Sequence, residues 1–159
     1  WVFIFRSVRK IVDQTLFGQQ HRVKPAINQP GLLAQHLGAV AAEGPVEQNQ
    51  HYCFPEPEAV ANSELTFLRM PNARKLALRD FAALFCNGNQ PTHDEILSIK
   101  GVGQWTLDYL KMRGERNPDV YLAGDLIVRK MAEKYPVLPQ KAAPWQSYLT
   151  LQLWQLSNS

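Results

Sequence analysis

The sequence predicts an all-α domain. Apolar residues recur three and four apart in several segments, as on the buried face of a helix. Glycine, proline and a T-x-x-E box mark where those segments start and stop. No stretch alternates apolar and polar residues in the way a half-buried strand does. A chain of 159 residues can bury roughly 70% of its unfolded surface and needs no staples. With 45% hydrophobic residues, residues 1–159 are read as one domain.

The segment 2–17 places Phe5, Val8, Ile11, Val12, Thr15 and Leu16 on one helical face, with Arg6, Arg9, Lys10 and Asp13 between them. Gly18 stops it, and Gln19-Gln20-His21-Arg22 is a polar turn. A second helix starts near Val23. Asn28-Gln29-Pro30-Gly31 is a breaker that interrupts or kinks it before Leu32, Leu33 and Leu37 resume the pattern. Residues 38–57 read as loop, with Gly38, Gly44, Pro45, Pro55 and Pro57. Pro57 suits the first position of a short helix ending near Ala61. Ser63 can cap another through Leu68, and Met70-Pro71 is a turn.

Residues 72–86 form a clear helix: Ala73, Ala77, Phe81 and Phe85 fall four apart, with Leu78 and Ala82 alongside. Asn87-Gly88 ends it in the left-handed region. Thr92 to Glu95 is a capping box, opening a helix that carries Ile96, Leu97 and Ile99. Gly101 and Gly103 turn the chain, since both can take positive φ. The next helix covers 104–114. Asn117-Pro118-Asp119 is a loop, and Val120-Tyr121-Leu122 suits a short extended piece. Asp125 begins a helix over 126–135, broken by Pro136 and Pro139. Pro144 opens a last helix with Trp145, Tyr148, Leu149, Leu153 and Trp154, Trp145 packing as core.

A net charge of +3 is compatible with a nucleic-acid partner and not diagnostic of one. Cys53 and Cys86 form no C-x-x-C and are too few for an iron–sulfur cluster; they read as reduced packing thiols. His21, His36, His51 and His93 show no metal-ligand spacing. No run approaches the roughly 18 apolar residues of a membrane span. WVFIF is followed by Arg6, Arg9 and Lys10, the reverse of a secretory signal. The first residue is not Met, which leaves an upstream segment open.

The chemistry concentrates in 97–130. In LSIKGVGQWTLDYL a helix, Gly-x-Gly and a second helix follow one another. The first N–H groups of the second helix, with its dipole, suit a phosphate. A lone Gly-x-Gly equally fits any tight turn between helices. Asp125 reads first as a helix cap, which also fixes where a carboxylate sits. Taken singly, Trp105, Tyr109 and Trp154 read as core aromatics.

LSIKGVGQWTLDYL resembles the helix–hairpin–helix of DNA repair proteins. GVGQWTLDYLKMRG followed by VYLAGDL is similar to the catalytic core of the helix–hairpin–helix DNA glycosylases, and most of all to their 3-methyladenine type. Four more stretches fit in the same order: Phe17-Gly18-Gln19-Gln20, Cys53-Phe54-Pro55-Glu56-Pro57, Leu68-Arg69-Met70-Pro71 with Arg74, and Pro144-Trp145-Gln146-Ser147-Tyr148 with Leu153-Trp154. The resemblance covers essentially the whole chain. It implies an orthogonal helical bundle and hydrolysis of the N-glycosidic bond of a flipped, alkylated nucleotide in double-stranded DNA. Asp125 is then the catalytic carboxylate, stabilising positive charge on the sugar. Trp105 stands where the glycosylase–lyase branches carry a lysine nucleophile, which implies base excision without strand cleavage. Trp105, Tyr109 and Trp154 match pocket aromatics, whose faces attract a cationic base by roughly 0.5–2 kcal/mol each.

Gln20 matches a residue that wedges into the gap left by the base, and Gln19 is a further DNA contact. Lys100, Gly101, Val102, Gly103, Gln104 and Thr106 form the implied phosphate grip, Lys100 standing where the family usually has Pro. Arg22, Lys24, Lys111 and Arg113 are further basic candidates. The backbone carbonyls of Leu97, Ile99 and Val102 match those that hold a monovalent cation, Na+ or K+; no other cofactor is implied. A monomer without membrane association is expected, cytoplasmic and nucleoid-associated in a bacterium or nuclear in a eukaryote. The compared type adds an N-terminal mixed α/β domain, for which this chain has no room, and has aromatics where Leu126 and Gln155 stand. Two other readings stay open: a non-catalytic DNA-binding module, and a glycosylase for another base such as uracil or an oxidised purine.

Overall fold

The computed structural model describes residues 29–40 and 52–157. The expected helix over 2–17, Gln19, Gln20, Arg22 and Lys24 lie outside the described residues. Among the described residues there are seven α-helices and no strand; an isolated bridge pairs Val40 with Tyr52. They fall into two compact units, divided between Val102 and Gly103.

The first unit contains α1 (Gln29–Leu37), α2 (Pro57–Ala61), α3 (Asn72–Leu84), a 3₁₀ turn (Cys86–Gly88) and α4 (His93–Ser98). The helix from Val23 that Pro30 and Gly31 are expected to interrupt or kink lies outside the described residues; the two residues sit in the first turn of α1. Proline costs nothing there, because the first N–H groups of a helix have no partner within it. Gln29 is buried, and its Oε1 accepts the Arg69 N–H at 2.9 Å. α2 packs on α3, which buries Val60, Ala77, Leu78, Phe81 and Ala82. Leu33, Leu65, Leu68 and Ile96 are also buried.

The expected helix from Ser63 to Leu68 is absent. Ser63 Oγ accepts the Leu65 N–H at 3.1 Å and Leu65 takes φ 54, so the segment turns instead. The end of α3 and the start of α4 follow the sequence closely. Asn87 and Gly88 have φ 56 and 75. The Thr92–Glu95 capping box forms in full, with Thr92 N–H donating to Glu95 Oε2 at 2.7 Å and Glu95 N–H to Thr92 Oγ1 at 3.3 Å. Cys86 is half-buried, whereas Cys53 is exposed and does not pack. The Cys53 backbone N–H donates to Ala39 O at 2.8 Å.

The second unit contains α5 (Gln104–Arg113), α6 (Leu126–Lys134), a 3₁₀ turn (Pro139–Ala142) and α7 (Gln146–Leu156). α7 packs on α6. Leu107, Tyr109, Leu110, Val120, Leu122, Val128 and Leu153 are buried. Trp145 departs from its expected core role: it is 57% exposed and lies edge-on to Tyr148, which is 60% exposed, with ring centroids 5.8 Å apart. It precedes α7 rather than lying within it, so its side chain escapes the helix's buried face. Among the described residues no helix is long and apolar enough to cross a membrane.

Candidate active site

The loop that delivers Asp125 is held by hydroxyls. Residues 117–122 run beside the start of α7. Ser147 Oγ accepts the Val120 N–H at 3.0 Å and donates to Asn117 O at 2.7 Å. One turn on, Thr150 Oγ1 accepts the Leu122 N–H and donates to Val120 O, both at 3.3 Å. Ser147 and Thr150 are buried, so they replace a strand partner for an extended piece that has none. The signal in the sequence is two hydroxyls three apart on the helix face that also carries Leu153. The chain then turns, with Asp125 N–H donating to Leu122 O at 3.0 Å, and α6 begins.

Asp125 caps α6. Its Oδ1 accepts the N–H groups of Ile127 and Val128, both at 2.9 Å. The indole Nε1–H of Trp154, from α7, donates to the same oxygen at 3.1 Å. All three bonds fall on Oδ1, and Oδ2 stays outside this set.

The aromatics form a continuous cluster. Trp105 and Tyr109, one turn apart on α5, have ring centroids 5.7 Å apart; Tyr109 and Trp154 have theirs 6.1 Å apart. Tyr109 is only 1% exposed, so it packs between the two tryptophans. A Cβ on Gly124 would lie 3.4 Å from Trp105 Cβ, which places the loop before Asp125 against that tryptophan. The Arg113 guanidinium lies over the Trp154 ring, its carbon 5.8 Å from the centroid. Arg113 Nε and Trp105 Nε1 are buried without a hydrogen-bond partner among the described residues. Burial also pushes the Tyr121 hydroxyl pKa up.

The Gly-x-Gly stretch straddles the division between the units. At the end of the first, Val102 N–H donates to Ile99 O at 3.0 Å, closing a turn. Gly101 occupies its third position with φ 95, as a type II turn requires. At the start of the second, Gly103 is extended (φ −116, ψ 179) and precedes α5. Of the two glycines, only Gly101 uses the positive φ open to both. Gly103 O accepts from Thr106 and Leu107 N–H at 3.0 and 3.2 Å, which an extended residue before a helix achieves without special conformation. Lys100 and Gln104 are exposed; Gln104 Nε2 donates to Asp108 Oδ1 at 2.8 Å. Leu97 lies in the last turn of α4.

Known proteins resemble the chain over most of its length. It is 29% identical over 177 residues to the probable bifunctional transcriptional activator/DNA repair enzyme AlkA of Mycobacterium tuberculosis, matching 94% of this chain and 34% of that protein. It is 26% identical over 161 residues to DNA-3-methyladenine glycosylase 2 of Escherichia coli, matching 89% of this chain and 55% of that protein. The chain is similar to DNA-3-methyladenine glycosylases. A second glycosylase of this name, DNA-3-methyladenine glycosylase 1 of Schizosaccharomyces pombe, is 27% identical over 132 residues, matching 66% of this chain and 58% of that protein. The chain thus spans about a third of the mycobacterial relative and about half of the DNA-3-methyladenine glycosylases. No protein-family model matches it. Of the residues the resemblance singles out, Asp125, Trp105, Tyr109 and Trp154 come together within the second unit. Arg113, one of the basic candidates, lies over the Trp154 ring.

Proposed function

We propose that this chain carries the catalytic part of a monofunctional DNA glycosylase that releases alkylated, 3-methyladenine-type bases from double-stranded DNA. One observation carries the reading: Asp125, fixed by three donors on one oxygen, adjoins the cluster of Trp154, Tyr109 and Trp105.

As the C1′–N bond of a flipped nucleotide breaks, its electron pair leaves with the base and positive charge develops on the sugar. A carboxylate held in place stabilises that charge without reorganising. Oδ2 of Asp125 takes this role. Water then adds to C1′ and loses a proton to solvent, giving a free base and an abasic site. The aromatic cluster receives the base, and a cationic alkylated ring gains from such faces. Trp105 has no amine to form a Schiff base, so the reaction stops before strand cleavage. The first N–H groups of α5 and the exposed Lys100 take the DNA backbone.

Carbonyls of Leu97, Ile99 and Val102 suit a monovalent cation. The last-turn carbonyl of Leu97 has no donor within its helix, and Ile99 O accepts a single turn bond, from Val102. Such an ion would neutralise phosphate charge beside the turn. The protein is expected to act as a monomer wherever the cell keeps its DNA.

The test is base release from methylated duplex by the wild type and by Asp125→Asn. The wild type yields free alkylated base and an abasic strand that stays uncut; the variant loses roughly 10²–10³-fold in rate. Equal rates in two folded proteins would overturn the reading. Salt-sensitive duplex binding with no abasic product from any lesion would make the chain a binding module.

A further inference from the structure

We propose that Trp154 is the positioning residue of Asp125, its indole N–H fixing the orientation in which the carboxylate faces the reacting sugar; this rests on the glycosylase reading above. The two backbone donors on Oδ1, from Ile127 and Val128, both belong to the first turn of α6 and approach from that helix. They hold the oxygen at the helix end but leave the carboxylate plane free to swing about it. Trp154 supplies the third donor from α7 at 3.1 Å, a different element and a different direction. With donors from two elements on one oxygen, the carboxylate plane is fixed and the second oxygen is left for the reacting sugar.

The indole is itself held. Tyr109 and Arg113 lie one turn apart on α5. The Tyr109 ring is 6.1 Å from Trp154, and the Arg113 guanidinium carbon is 5.8 Å from the Trp154 ring centroid. A cation on the ring draws electron density from the indole and strengthens its N–H as a donor. So α5 fixes a side chain of α7, which fixes the carboxylate that opens α6. The other tryptophan of the cluster is the control. Trp105 Nε1 is buried with no partner among the described residues. The Trp105 N–H therefore orients no acceptor, whereas the Trp154 N–H ends on the carboxylate.

The experiment compares wild type, Trp154→Phe and Asp125→Ala, each ¹⁵N-labelled. The Trp154 indole resonance is identified as the one missing from Trp154→Phe, and it moves upfield in Asp125→Ala as the acceptor is lost. On methylated duplex DNA, Trp154→Phe keeps an aromatic face but loses the donor. Its kcat falls roughly tenfold with KM unchanged, the worth of one hydrogen bond to a charged group. A rise in KM with kcat unchanged would mean that Trp154 only stacks on the base, and would overturn the proposal. An indole resonance that stays in place in Asp125→Ala would overturn it as well. A resonance that shifts in Asp125→Ala, together with a wild type that releases no base, overturns the glycosylase reading and leaves the Trp154–Asp125 bond standing.

Discussion

Ser147 Oγ lies 3.0 Å from the backbone nitrogen of Val120 and accepts its N–H. The same hydroxyl donates to Asn117 O, so one buried side chain satisfies both a donor and an acceptor of the loop leading to Asp125. Ser147→Ala leaves a buried N–H without a partner, a loss of about 1–3 kcal/mol. Urea unfolding measures it. A change within 0.5 kcal/mol, which is about the noise of a surface substitution, would mean the loop holds itself.

Gly38 admits no side chain. A Cβ there would run into the backbone carbonyl oxygens of Cys53 and Ala34. Both obstacles are main chain and cannot swing aside, so Gly38→Ala forces the Val40–Tyr52 bridge apart. The expected cost is about 1–3 kcal/mol, read as a drop in melting temperature. A wild-type melt would place the approach elsewhere.

Gly101 and Gly103 respond differently to alanine. Gly101 has φ 95, where a side chain is strained by about 1–2 kcal/mol. At Gly103 a Cβ meets nothing within 4 Å and the backbone is extended. Unfolding of the two alanine variants checks the order: Gly101→Ala loses more. The reverse order would contradict the turn geometry.

The capping box makes one part of stability pH-dependent. Glu95 is held below its usual pKa of 4.5 by the Thr92 backbone N–H first and the Thr92 hydroxyl second. A depressed pKa in the folded state means the stabilisation is fully present above the unfolded value near 4.5 and is lost as pH falls through the folded value. Wild type therefore loses more stability on acidification from pH 6 to about pH 3 than Glu95→Gln does. Equal losses would remove the carboxylate from the box.

Asp125 separates folding from chemistry by choice of substitution. Asparagine keeps an acceptor for the Ile127 and Val128 N–H groups and ranks with aspartate as a cap. Alanine keeps none and costs about 1 kcal/mol. Asp125→Asn is expected to unfold as wild type and Asp125→Ala earlier, with base release lost in both.

Local signals made much of this legible. Thr92–Glu95 and Asp125 each cap a neighbouring helix start as read, and Asn87-Gly88 take the left-handed φ expected of them, in the 3₁₀ turn after α3. What escaped depends on partners distant in sequence or on an unforced backbone. Ser63 has the composition of a helix cap, but its hydroxyl bonds two residues on and Leu65 turns left-handed. Ser147 and Thr150 look like ordinary helix residues until the extended segment 117–122 lies beside them. Arg113 reads as one more surface cation, yet the spacing that puts it one turn after Tyr109 also puts it on Trp154. The cluster's members could be named from the resemblance; that the Trp154 N–H ends on Asp125 needed coordinates.

Asp125 serves the helix through one oxygen and leaves the other to chemistry, and this constrains how the site can change over generations. A lineage that no longer needed the reaction could shed the charge in a single step to asparagine and keep its fold. Loss of the acceptor itself would loosen α6, and with it the anchor of Trp154. Decay at this position therefore has a preferred direction: the first silent descendants would be well-folded proteins with an amide where the acid stood.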